Sequence, residues 1–105
     1  MSSTTEQDLN RILNAVADPT RRRILQALKE GEAGAKAQKS ATSNPCLCAG
    51  DIESRVRLSQ PTISHHMAIL IKASLVEATK KGQWRWYRRN EKAIRAMVKT
   101  LRGKL

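Results

Sequence analysis

The chain has 105 residues and a formal net charge of +11, so it is one domain with a modest core and an attraction for polyanions. No apolar run approaches the ~18 residues of a membrane span. Met1-Ser-Ser-Thr-Thr-Glu6 has neither the basic nor the apolar region of a secretion signal, so a cytoplasmic setting with reduced thiols is expected.

The charge is unevenly spread. Residues 1–45 carry seven Lys/Arg and five Asp/Glu, whereas residues 46–105 carry thirteen and four. In chain order, Leu9, Ile12, Leu13 and Val16 follow helical spacing and predict a first helix over Thr5–Val16. Asp18-Pro19 reads as an N-cap followed by a first-turn proline. The second helix runs to about Lys29, with Ile24, Leu25 and Leu28 inward and Gly31 ending it. Arg21, Arg22 and Arg23 read as its solvated shoulder. The stretch 31–45 has no large apolar residue and reads as a flexible insertion in a single domain. A short helix over Asp51–Arg57 turns Ile52 and Val56 inward.

Leu58-Ser-Gln-Pro-Thr-Ile-Ser-His-His-Met-Ala-Ile-Leu70 is the most informative segment. Ser59 is suited to N-cap a helix that has Pro61 in its first turn. At about 100° per residue, Ile63, Met67 and Leu70 share one face, and Gln60, Thr62, Ser64 and His65 lie away from it. His66 falls at the edge of the stripe and is expected to pack or to hydrogen-bond backbone. Uncharged hydrogen-bonders on the N-terminal half of a helix suit the DNA major groove, where Gln60 can pair with adenine and Thr62 and Ser64 can reach base edges. Lys72-Ala73-Ser74 is the exit, with serine where glycine is the usual residue. Val76–Lys80 and Trp84–Arg89 then flank a glycine turn and predict a β-hairpin. Lys80, Lys81, Gln83 and Arg85 surround its tip and can touch phosphates or lie over the minor groove. Trp84, Trp86 and Tyr87 are the chain's aromatics and are expected to pack the hairpin onto the domain, rather than to stack unpaired bases. Glu91–Leu101 is an amphipathic helix with the stripe Ile94, Met97, Val98 and Leu101.

Four ordered stretches, Ala17-Asp-Pro-Thr-Arg-Arg-Arg-Ile-Leu25, Leu58–Leu70, Leu75-Val76 and Gly82-Gln-Trp-Arg-Trp-Tyr-Arg88, resemble the arsenic-repressor (ArsR/SmtB) family of bacterial regulators. The resemblance implies a mainly α winged helix-turn-helix fold with one β-hairpin wing, acting as a homodimer. Leu9, Ile12, Leu13 and Val16 of the first helix, with Ile94, Met97, Val98 and Leu101 of the last, would form the dimer interface. The implied partner is double-stranded DNA carrying a palindromic operator, its half-sites about one helical turn apart. The implied activity is repression by occluding a promoter, with Ser59, Gln60, Thr62, Ser64, His65 and the wing residues touching DNA.

Family members that sense arsenite, lead or cadmium carry a Cys-x-Cys pair near Cys46-Leu47-Cys48. Soft thiolates select such soft metals and metalloids. The family pattern Leu-Cys-Val-Cys-Asp-Leu meets Leu47-Cys48-Ala49-Gly50-Asp51-Ile52 here, so the pair is kept but shifted out of register. Three readings stay open: a soft-metal or metalloid site at Cys46 and Cys48, a redox-responsive pair, or thiols with no sensing role. The last helix has Glu91 as its sole acid and no histidine, which argues against a zinc site there. A basic architectural protein without an operator is the rival class. An enzyme is not expected, because no acid–base pair, phosphate loop or nucleophile constellation is present.

Overall fold

The computed structural model describes residues 6–35 and 47–105. Helix α1 (Glu6–Ala17) is followed by α2 (Pro19–Ala35), strand β1 (Leu47–Cys48), α3 (Ala49–Val56), α4 (Gln60–Lys72), β2 (Val76–Lys81), β3 (Trp84–Arg89) and α5 (Glu91–Lys104). Three antiparallel strands form one sheet in the order β1-β3-β2. No helix among the described residues is long and apolar enough to cross a membrane.

The core lies where α2, α3, α4 and the sheet meet. Ile24 and Leu28 of α2, Ile52 of α3, Met67 and Leu70 of α4, and Leu75 and Val76 entering β2 are its largest fully buried side chains. Burying each contributes roughly 1.5–3 kcal/mol. The Ile63–Met67–Leu70 stripe therefore fixes the rotation of α4 about its axis, and with it which side chains face out.

The α1–α2 corner follows the Asp18-Pro19 expectation. Asp18 Oδ1 accepts from the backbone N–H of Thr20 (2.7 Å) and of Arg21 (3.3 Å). Burial pushes the Asp18 carboxyl up, but the Arg21 and Thr20 N–H groups and the Arg21 guanidinium outweigh it and hold the group below its ordinary range. At the other end of the hairpin Asn90 caps α5, its Oδ1 accepting from Ala93 N (3.1 Å). Arg89 ties this corner down by an ion pair with Glu91 (2.9 Å) and a bond to the carbonyl of Leu25 (3.3 Å).

Several expectations need correction. Helix α2 does not stop at Gly31 but runs to Ala35, so residues 31–35 belong to a helix and not to a loop; residues 36–45 lie outside the described residues. Gly31 is buried against Leu47, whose side chain occupies the space that a Cβ would need. It is a contact residue and not a terminator. Leu47 and Cys48 add a third strand to the expected hairpin, paired with Tyr87 and Trp86. The three arginines are a solvated shoulder only in part: Arg22 and Arg23 are exposed, whereas Arg21 is buried. Arg21 donates to the carbonyls of Ala15 (2.7 Å) and Asn14 (2.9 Å), Arg22 to those of Val16 (2.6 Å) and Ala17 (2.9 Å), and Arg23 to that of Val56 (2.9 Å). All three satisfy orphan carbonyls at helix C-termini, where a cation also complements the helix dipole.

Candidate nucleic-acid interface

Helix α3 ends at Arg57, which adopts a left-handed conformation (φ 56°) and donates its N–H to Glu53 (2.9 Å). That residue reverses the chain, so Leu58 and Ser59 lead directly into α4. Ser59 takes the N-cap position, yet its hydroxyl does not cap a backbone N–H. It pairs with the Thr62 hydroxyl at 2.8 Å, and the helix start is held by the Ser59 carbonyl accepting from Ile63 N (3.0 Å). Gln60, Thr62, Ser64 and His65 are all exposed, on the side opposite the buried stripe. His66 lies between the two: it is half-buried, as packing requires, and its Nδ1 accepts from the Arg21 side chain (Nη1, 3.3 Å).

The exit from α4 uses two carbonyls. Leu75 N donates to Leu70 O (3.0 Å) and Ser74 N to Ile71 O (2.9 Å), with Ser74 at φ 64°. This is the Schellman arrangement, with serine at the position glycine usually fills. It aims β2 back along the domain. The hairpin tip is Gly82-Gln83, between the paired residues Lys81 and Trp84. Gly82 has φ 61° and Gln83 has no positive φ, the pattern of a type II′ turn that matches strand twist.

The hairpin stands across from α4 and encloses a cleft lined by Gln60 and Ser64 on one side and by Lys80, Gln83, Trp84 and Arg85 on the other. Cys48, Ala49, Gly50 and Tyr87 also line it. Thus Gln60, Ser64, Lys80, Gln83 and Arg85 are brought together, whereas Ser59, Thr62, His65 and Lys81 lie on the exposed surface outside that lining. Lys80 is the cross-strand partner of Arg85, so two cations face α4 side by side. The aromatics divide: Tyr87 is in the core, Trp86 is half-buried and Trp84 is 57% exposed. Packing the hairpin onto the domain therefore describes Tyr87, and does not describe Trp84.

Cys48 is half-buried, and its thiol donates to Asp51 Oδ2 at 3.1 Å. Burial and the Asp51 carboxylate push that thiol up from its ordinary range, so it is held protonated at neutral pH. Cys46 lies outside the described residues. Among the described residues no three His, Cys, Asp or Glu side chains group as metal ligands, and Cys48 with Asp51 is not a complete donor set for a soft ion. Sequence reasoning did not find the Arg21–His66 contact or the placing of Cys48 in the cleft. Neither has a local signal, because both depend on how distant elements pack.

A two-helix reader with a strand hairpin beside it defines a winged helix-turn-helix domain. The helix-turn-helix domain family matches residues 16–79. The transcriptional repressor SdpR of Bacillus subtilis is 34% identical over 90 residues, covering 86% of this chain and 84% of that one. The arsenical resistance operon repressor of Staphylococcus aureus is 33% identical over 95 residues, covering 90% and 78%. In three dimensions the chain is similar to a homodimeric winged helix-turn-helix DNA-binding domain from Mycobacterium bovis, with a TM-score of 0.67 at 20% identity, over 96% of this chain and 87% of that one. The chain belongs to the arsenic-repressor (ArsR) family of winged helix-turn-helix transcription regulators.

Proposed function

We propose that this protein is a sequence-specific repressor that binds a palindromic DNA operator as a homodimer. The observation that carries the reading is the exposed polar face of α4, set across a cleft from the paired cations Lys80 and Arg85. Helix α4 fits the major groove, with Gln60, Ser64 and His65 toward base edges, and the wing takes the adjacent backbone and minor groove. The test is binding to the duplex upstream of its own coding region against random duplex. Gln60→Ala with His65→Ala should reduce the preference for the promoter at least tenfold while total affinity for random DNA changes little. Unchanged preference in the double variant would remove α4 as the reader.

Dimerisation is supported by apolar surface on the two terminal helices. Leu13 is 39% and Val98 56% exposed, and the Glu6–Lys104 ion pair (2.7 Å) sets the start of α1 beside the end of α5. Leu9 is only 6% exposed in the single chain, so it has little surface to offer a partner. Ile12, Val16, Ile94 and Met97 are half-buried against the protomer's own core and offer their outer edges.

A second reading, release from DNA by a soft metal or metalloid or by oxidation at Cys46 and Cys48, is supported by one feature: Cys48 lines the same cleft as Gln60 and Ser64. A ligand on that sulfur would meet the DNA directly. Any release by arsenite, cadmium or peroxide should be lost in Cys46→Ser with Cys48→Ser, measured by gel shift. Release that persists in that variant places sensing elsewhere.

A further inference from the structure

Trp84 is the large apolar side chain that the fold leaves most exposed on the wing, at 57%. It forms the last cross-strand pair, with Lys81, before the Gly82-Gln83 turn. Side chains alternate along a strand, so Arg85 and its partner Lys80 project to the side of buried Tyr87, and Trp84 and Lys81 project to the other. Trp84 thereby stands at the rim of the cleft and continues beyond it. Of the five Lys/Arg in residues 78–90, Arg88 and Arg89 are ion-paired with Glu77 and Glu91, and Lys80, Lys81 and Arg85 make the cationic field around the hairpin tip. An indole set in such a field meets a polyanion before it meets a typical protein surface. A platform for unpaired bases needs successive exposed rings. Here Trp86 is half-buried and Tyr87 buried, which leaves a single ring.

We propose that Trp84 is a DNA contact in its own right, its indole lying against deoxyribose in the minor groove next to the strand gripped by Lys80 and Arg85. The inference rests on the DNA-binding reading above and deepens it. The sugar edges that wall a minor groove are apolar, and apolar wing or arm residues can press against them or between base steps. Such a contact releases no counterions, whereas each Lys or Arg on a phosphate releases about one. The two kinds of contact therefore separate in a salt titration.

The experiment measures affinity for labelled promoter duplex and for random duplex over a range of salt. Trp84→Ala should weaken binding to both about tenfold, with the slope of log affinity against log salt unchanged, and Trp84→Phe should restore most of the loss. Lys80→Ala and Arg85→Ala should each flatten the slope by about 0.9. In Trp86→Phe, where Trp84 is the remaining tryptophan, its emission should change on saturation with duplex; if that variant misfolds, the affinities alone decide. Wild-type affinity in Trp84→Ala, or a flattened slope, overturns the proposal and leaves the DNA reading standing. Failure of the unmutated protein to bind either duplex overturns both. A changed sedimentation of Trp84→Ala without DNA would assign the ring to protein contact and overturn the proposal as well.

Discussion

Among the described residues two non-glycine residues carry positive φ, Arg57 (56°) and Ser74 (64°), and they flank α4 at its two ends. A left-handed L-residue costs about 1–2 kcal/mol, so the reading helix is delimited by strained positions on both sides. At Ser74 glycine removes that strain, at a smaller cost in unfolded-chain entropy. Ser74→Gly should stabilise the fold by about 0.5–1 kcal/mol and raise Tm by roughly 3 °C, with DNA affinity unchanged; thermal unfolding checks it. This position was legible in the sequence, because Lys72-Ala73-Ser74 stops an apolar period where glycine is the common residue. So was the exposed set Gln60, Thr62, Ser64 and His65, because one helical period suffices to sort them from Ile63, Met67 and Leu70. The role of Ser59 was only half legible. Its place at the cap follows from composition, but whether its hydroxyl turns to Thr62 or to a backbone N–H is a choice between two partners within reach. The bonds made by the three arginines of α2 were not legible. Their carbonyl partners belong to the ends of α1 and α3, which sequence spacing cannot bring together.

At the scale of elements, the longer helices and the hairpin follow from periodicity, and the departures occur where an element is short or a glycine has two uses. Strand β1 is two residues long, too few for alternation to show, and it exists because β3 offers an edge to Leu47 and Cys48. Gly31 reads as a helix end because glycine commonly is one. Here the missing Cβ admits Leu47, and α2 continues past it for another turn. Helix α5 runs three residues beyond the apolar stripe that predicted it, since Arg102, Gly103 and Lys104 bring no apolar period, and the Lys104–Glu6 ion pair holds the added turn beside α1. The site itself was partly legible for the same reasons. Both walls of the cleft could be named from motifs, but its closure around Cys48 and Gly50 required the sheet's third strand.

At the scale of the whole molecule, the proposed reading surface lies on α4 and the hairpin, and the proposed dimer seam on α1 and α5. Leu13→Glu with Val98→Glu places two charges on exposed positions that the protomer's core does not use, so folding should persist. Sedimentation should then show a monomer, and operator affinity should fall at least tenfold because one half-site alone is held. A dimer that survives both substitutions would move the interface off these helices. The buried Arg21 gives this division a mechanical consequence. One guanidinium holds the last carbonyls of α1, sits 3.8 Å from the Asp18 carboxylate that starts α2, and reaches His66 in the middle of α4. With 8% of the residue exposed, separating α1 from α4 would leave buried donors of this guanidinium unpaired, at a cost of about 1–3 kcal/mol. In the proposed dimer, Arg21 would couple the helix that carries the seam to the helix that faces DNA, so a shift at the seam would be felt at the reading surface.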